Sequence, residues 1–319
     1  MRINYLSLSI LMVALSSQIQ IVRASNLFNR KASQLFVESI QPDNIALETI
    51  SQLRVACSDA ANRSSDRRLR ELSQHLKSSA QSTNSFDLEM QRAAAFMACK
   101  APENAQQVLQ GINPTNIAEQ KSWSRLLWKA SNAVMDHSNA ALALRRLAEG
   151  NLQRLDDEPI TVGNTQEGTP LTRLALDLLA EHERLNGRCE VAARVLLAGR
   201  KRGALGAARL SQVVQCLEGL SMNRRKDLLE SALNEANADN AWWLVGDILK
   251  LQIELDLASG GDAQIPLQRL EKYSIELDDR YMQLELIRIQ SSNQEERTLL
   301  EDQLRSPKET TPDSEKVRR

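Results

Sequence analysis

Apolar residues recur at helical spacing along nearly the whole chain, and Pro, Gly, Asn or short polar runs interrupt them at intervals. Residues 27–40 carry Leu27, Phe28, Leu35, Phe36 and Ile40 and stop before Pro42. Residues 44–60 carry Ile45, Leu47, Ile50, Leu53, Val55, Ala56 and Cys57. A turn over 62–65 leads into a helix near 66–80, with Leu69, Leu72 and Leu76 at i, i+3 and i+7. The polar run 81–85 ends it, and 86–99 forms the next helix around Ala93, Ala94, Phe96 and Met97. Pro102 opens a short helix that Gly111 and Pro114 close. Helices near 116–136 and 138–150 complete the first half.

Residues 151–170 hold two Pro, two Gly and several turn formers, and read as a solvated linker rather than a catalytic lid. Beyond it the period is at its most regular. Leu171, Leu174, Ala175, Leu178 and Leu179 line one helical face, Asn186-Gly187 ends it, and Val191, Ala192, Val195 and Leu196 face inward from the partner helix. Further pairs follow at 205–217 with 228–236, at 242–249 with 265–275, and at 278–290 with 293–304. The tail 306–319 has two Pro and no apolar stripe and reads as disordered. The expected division is a leader over 1–24, N-terminal helical pairs over 25–155, a linker loop over 156–170, helical repeats over 171–305, and the tail.

Composition sharpens the class. Among 319 residues there are 12 Gly, 8 Pro and 3% aromatics, against 48 Leu and 35 Ala. A β-sandwich or barrel of this length needs more turn glycines and strand aromatics, so the expected class is all-α. Helix pairs every 35–40 residues mark an α-solenoid. Residues 173–206 carry the fullest unit, with Ala180 and Ala192 at the tight contacts, large Leu179 and Leu196, and small Gly199. This unit resembles a tetratricopeptide repeat. It departs from that family where Leu176 replaces an aromatic, Glu183 a tyrosine and Ala204 a terminal proline. The other units resemble it only in length and layout. The resemblance implies a right-handed α-solenoid of antiparallel helix pairs with a concave face that binds peptides or proteins.

The N-terminus changes the expected compartment. Arg2, the apolar run 6–15 and Val22-Arg23-Ala24 have the form of a signal peptide cleaved after Ala24, and the apolar run is too short to span a bilayer. An uncleaved anchor or a buried first helix is the other reading. Cleavage removes Arg2 and Arg23 and leaves 38 basic against 41 acidic side chains. Cys57, Cys99, Cys189 and Cys216 all lie in the exported part, with no C-x-x-C. Export favours two disulfides over four buried thiols. In a stack of antiparallel helices, Cys57 and Cys99 end parallel helices on the same edge. Cys189 begins one helix beside the end of the next, where Cys216 lies, so the expected pairs are Cys57–Cys99 and Cys189–Cys216.

The search for chemistry is largely negative. His75, His137 and His182 are far apart, and none belongs to a close ligand pair. No nucleophile elbow, P-loop or dinucleotide fingerprint occurs, so no cofactor and no metal is expected. Asp156-Asp157 and Asp278-Asp279 read as solvated caps or loops. Asn62-Arg63-Ser64 matches a glycosylation acceptor, and adjacent Trp242 and Trp243 cannot both face one core, which reads as packing between neighbouring helix pairs or, alternatively, as an aromatic anchor on a binding face. One charge feature stands out: residues 184–226 hold ten basic and two acidic side chains. Arg194, Arg200, Lys201, Arg202, Arg224, Arg225 and Lys226 form a candidate anion-binding patch, the two triplets converging on one edge. The first reading is a solvated basic face with no ligand; otherwise an acidic peptide, a wall polymer or lipid head groups fit it, and nucleic acid fits least, given export and the acidic chain as a whole. The expected function is a periplasmic or secreted non-catalytic scaffold for a protein or peptide partner. The alternative is an accessory factor or enzyme of cell-wall or envelope processing.

Overall fold

The computed structural model describes residues 47–78, 85–290 and 294–305. The leader, the helix read over 27–40 and the tail therefore lie outside the described residues. Among the described residues fourteen α-helices dominate, a mostly helical architecture consistent with a helical-repeat fold. Packing divides it into two units, Met1–Leu147 and Ala148–Arg319.

The first unit contains α1 (Leu47–Asn62), α2 (Asp66–Ser78), α3 (Phe86–Ala98), α4 (Pro102–Gln110), α5 (Ile117–Ala133) and α6 (His137–Leu147). Local chemistry sets the boundaries. Pro102 at the first turn of α4 withholds an N–H that has no helical partner. Asn116 caps α5 by accepting from the Glu119 N–H at 2.9 Å, while Glu119 accepts from the Thr115 N–H at 2.7 Å. Leu69, Leu72 and Leu76 bury one stripe of α2 as their spacing requires. Phe96, Leu109, Leu127, Trp128 and Leu144 fill the rest of this core. Trp123 joins them, its Nε1–H donating to the Leu109 carbonyl at 2.8 Å and its ring lying 4.7 Å from the Arg146 guanidinium.

The second unit opens differently from the expected loop. Residues 152–156 form a 3-10 turn, and β1 (Pro159–Asn164) pairs antiparallel with β2 (Pro170–Leu174). The ladder runs from Pro159 opposite Leu174 to Asn164 opposite Pro170, with a bulge between Thr161 and Gly163. The helical face read from Leu171 is thus corrected. Leu171 and Leu174 belong to a strand, Leu171 is exposed, and the helix α7 (Ala175–Leu185) begins where Ala175 donates its N–H to the Glu158 carbonyl at 2.9 Å. Their i, i+3 spacing is compatible with a strand-to-helix junction too.

Beyond α7 come α8 (Cys189–Leu197), α9 (Gly203–Cys216), α10 (Met222–Ala238), α11 (Trp242–Ala258), α12 (Gln264–Glu276), α13 (Arg280–Gln290) and α14 (Gln294–Arg305). The principal contacts join each helix to the next, with α9 also reaching α11. One continuous apolar core runs from Ala207 and Val214 through Leu229, Leu233, Val245 and Leu249 to Leu270 and Leu286.

A disulfide closes one edge in each unit. Cys57 bonds to Cys99 at a Cα separation of 4.7 Å, and Cys189 to Cys216 at 4.9 Å. Their sequence separations, 42 and 27 residues, make each worth roughly 3–4 kcal/mol through the entropy of the unfolded chain. Replacing Cys189 and Cys216 together with Ala should lower the unfolding free energy of the second unit by about that amount in urea titrations. Non-reducing peptide mapping should recover both pairs and no crossed one.

Candidate functional site

The most constrained place in the second unit is the guanidinium of Arg209. On α9, Gly206, Arg209, Val213 and Cys216 share one buried stripe, so an arginine occupies a core register. Its side chain is 5% exposed. Nη1 donates to Asp156 Oδ1 at 2.6 Å, while Nε and Nη2 donate to the two oxygens of Asp177 at 2.6 and 3.1 Å. Asp156 is equally buried and comes from the 3-10 turn; Asp177 lies in the first turn of α7. The second oxygen of Asp156 accepts the backbone N–H of Arg200 at 2.8 Å.

The electrostatics follow from this geometry. Burial alone would raise the Asp156 carboxyl, but the Arg200 amide and the Arg209 guanidinium outweigh it and hold it below the usual carboxylate range. Burial would likewise lower the Arg209 pKa, and the two aspartates reverse that. The expectation that Asp156 and Asp157 are both solvated is corrected for Asp156. Asp157 does face solvent, where Lys201 Nζ reaches it at 2.5 Å.

Two glycines make room for this arrangement. A Cβ at Gly199 would run into the Arg209 guanidinium and lie 2.8 Å from Leu176 Cδ2. A Cβ at Gly206 would run into Glu235 and lie 2.8 Å from the Lys201 carbonyl. Beside them opens a cleft of about 430 Å³, walled by Leu196, Gly199, Arg200, Lys201, Arg202, Arg209, Leu210, Val213 and Glu235. Three of its charged side chains are engaged within the chain, Lys201 with Asp157, Arg202 with Glu235 at 2.8 Å and Arg209 with its two aspartates, while the exposed Arg200 side chain has no carboxylate partner among the described residues. Leu196, Leu210 and Val213 give the cleft an apolar wall beside these charges.

The basic triplets do not converge. Asp239, at the end of α10, accepts the Ala204 N–H at 2.8 Å at the start of α9, so the two helices run antiparallel. Arg200, Lys201 and Arg202 precede α9, whereas Arg224, Arg225 and Lys226 sit in the first turns of α10, at the opposite end. Fourteen residues of helix, about 21 Å, separate those ends. Lys226 pairs with Asp256 at 2.6 Å, and Arg225 donates to the Leu217 carbonyl at 3.0 Å. Among the described residues no carboxylate pairs with the exposed side chains of Arg194, Arg200 and Arg224.

The histidines are likewise apart, His75 exposed on α2, His137 at the start of α6 and His182 buried on α7. Among the described residues no group of three or more His, Cys, Asp or Glu could hold a metal ion. The Trp242-Trp243 pair leaves both rings partly in solvent, at 42% and 67% exposure. The sequence reading missed Asp156, Asp177 and Arg209. Its available signal was an arginine at a position three residues from Gly206 and four from Val213, within an otherwise apolar stripe.

Comparison with known proteins adds little to this. No family model matches the chain, and no curated protein matches it. A crystal structure of BtubC (BKLC) from P. vanneervenii is similar over 74% of this chain and 94% of that one, with 14% identity and a TM-score of 0.39. Likeness at that level carries no argument about function.

Arg209→Met should cost about 3–5 kcal/mol, because it leaves the buried Asp156 and the part-buried Asp177 without their partner. Because the Asp156 pKa is lowered on folding, its contribution is complete above the unfolded value of about 3.9 and is lost as pH falls through the folded one. Denaturation curves between about pH 5 and 2 should therefore be steeper for the native chain than for Asp156→Asn.

Proposed function

We propose that the protein is an exported, non-catalytic helical-repeat scaffold that binds another protein or peptide in the periplasm or outside the cell. The observation that supports this most is the packing pattern within each unit. Helices contact chiefly their neighbours and next neighbours in sequence, so each buries one face on the chain and leaves another to solvent. Such a layout supplies extended surface rather than a closed reaction chamber. In this reading the helix pairs stack as a right-handed solenoid like the tetratricopeptide unit that residues 173–206 resemble.

Two further observations support the location. Both cysteine pairs are oxidised, which suits an oxidising compartment. No helix among the described residues is long and apolar enough to cross a membrane.

Affinity capture from the envelope fraction, with a blank matrix as control, tests the reading. One partner recovered stoichiometrically is the expected result. Turnover of wall fragments by the pure protein would overturn it and favour an enzyme of envelope processing. Mass spectrometry of the protein from its native host should give a mature chain beginning at Ser25. A soluble cytoplasmic form retaining Met1 would refute the location.

A further inference from the structure

One end of the second unit gathers aromatic side chains at its surface. Trp242 and Trp243 open α11, and the Trp242 ring lies 5.9 Å from that of Tyr273 in the last turn of α12. The Tyr273 hydroxyl donates to the Trp242 carbonyl at 3.2 Å and fixes the two helix ends against each other. One turn further along α11, a Cβ at Gly246 would lie 2.5 Å from Met282 Cε, so the start of α13 packs there as well. Leu277, four residues after Tyr273, and Tyr281, next to Met282, are both exposed. Four side chains with large apolar surfaces thus stand partly in solvent around one junction. Tryptophan and tyrosine so placed are the residue types that dominate interface energetics.

The helices from which this junction is built carry one sign of charge in excess. From residue 227 to residue 305 there are seventeen acidic and seven basic side chains, net −10. Asp247, one turn from Trp243 on α11, is exposed, and so are Glu276 and Asp278 beside Leu277. Three cations stand nearby: Lys250 pairs with Glu285 and also lies in the field of Asp247, while Lys272 and Arg280 approach Glu276 and Asp278 only at 3.7 Å, across exposed pairs that contribute little. An acidic field around electron-rich ring faces repels anionic surfaces and attracts ammonium and guanidinium groups.

We infer that the α11–α12–α13 junction is a docking surface for a cationic amphipathic protein segment. The segment's aliphatic side chains cover Leu277 and Tyr281, and its Lys or Arg groups lie over Trp243 and beside Asp247 and Glu276. This rests on the scaffold reading and names the partner's chemistry. It also reverses the expected polarity, and of the basic residues named for an anionic partner Lys201, Arg202 and Lys226 are paired within the chain.

The test uses the full mature chain and three synthetic helical peptides: one of Leu and Lys, one with Glu in place of Lys, and one with Ser in place of Leu. The Leu–Lys peptide should bind and shift the tryptophan emission, since Trp123 and Trp128 are buried in the other unit and report little. The other two peptides should fail to bind under the same conditions. Trp243→Ala should weaken binding about tenfold or more with an unchanged circular dichroism spectrum. Asp247→Asn with Glu276→Gln should weaken it and flatten its salt dependence. Equal affinity of Trp243→Ala for the peptide would overturn the proposal. So would equal binding of the Glu peptide, an emission shift on phosphatidylcholine vesicles, or self-association that buries Trp243 without peptide. If an envelope partner is still captured with Trp243→Ala at full yield, the scaffold stands and this surface falls; if no partner is captured by either form, the scaffold reading falls first.

Discussion

Moving a guanidinium out of water costs several kilocalories per mole unless carboxylates surround it, and Arg209 meets that demand from two directions. One aspartate comes from the turn ahead of the β-hairpin and the other from the helix after it. The hairpin is therefore pinned at its base, where Glu158 and Ala175 also bond through the backbone. The connector between α8 and α9 must then pass close enough for the Arg200 amide to reach Asp156. That path leaves no space for a side chain at Gly199 or Gly206. A single buried cation so dictates the course of three segments that are far apart in sequence.

The helices were legible because their signals are local. Leu69, Leu72 and Leu76 lie three and four residues apart, and Pro102, Asn116 and Gly111 punctuate the pattern within a turn of where helices begin and end. The disulfide partners follow from the order of antiparallel helices alone. The charge network was not legible, because its members are 53 and 32 residues apart and each has an ordinary local context. Asp156 sits in a run that any loop could contain. Leu171 and Leu174 misled for a related reason: a strand leading into a helix places apolar side chains at spacings that a helix also produces.

Counting charge along the chain misjudged the basic segment for a third reason. Lys226 belongs by sequence to the basic stretch, but its partner Asp256 belongs to the acidic one. Arg202 and Glu235 cross the same divide. Here packing brings cations of one element against anions of another, so these charges cancel between neighbours instead of adding along an edge. What remains in excess is the acidity of the later helices, where fewer cations are present to answer it.

The placement of Asp156 bears on how this chain divides into portable pieces. A cut in the apparent linker, at residue 170, would separate the helices from Asp156, one of the two carboxylates around Arg209, and leave Asp177 alone to answer the buried guanidinium. A cut at Ala148 carries that counterion along. The unit that recombination or duplication can move intact therefore includes the turn and the hairpin, although neither resembles a helical repeat. A search for related modules that starts at the first regular helix would trim off the residues on which that helix depends.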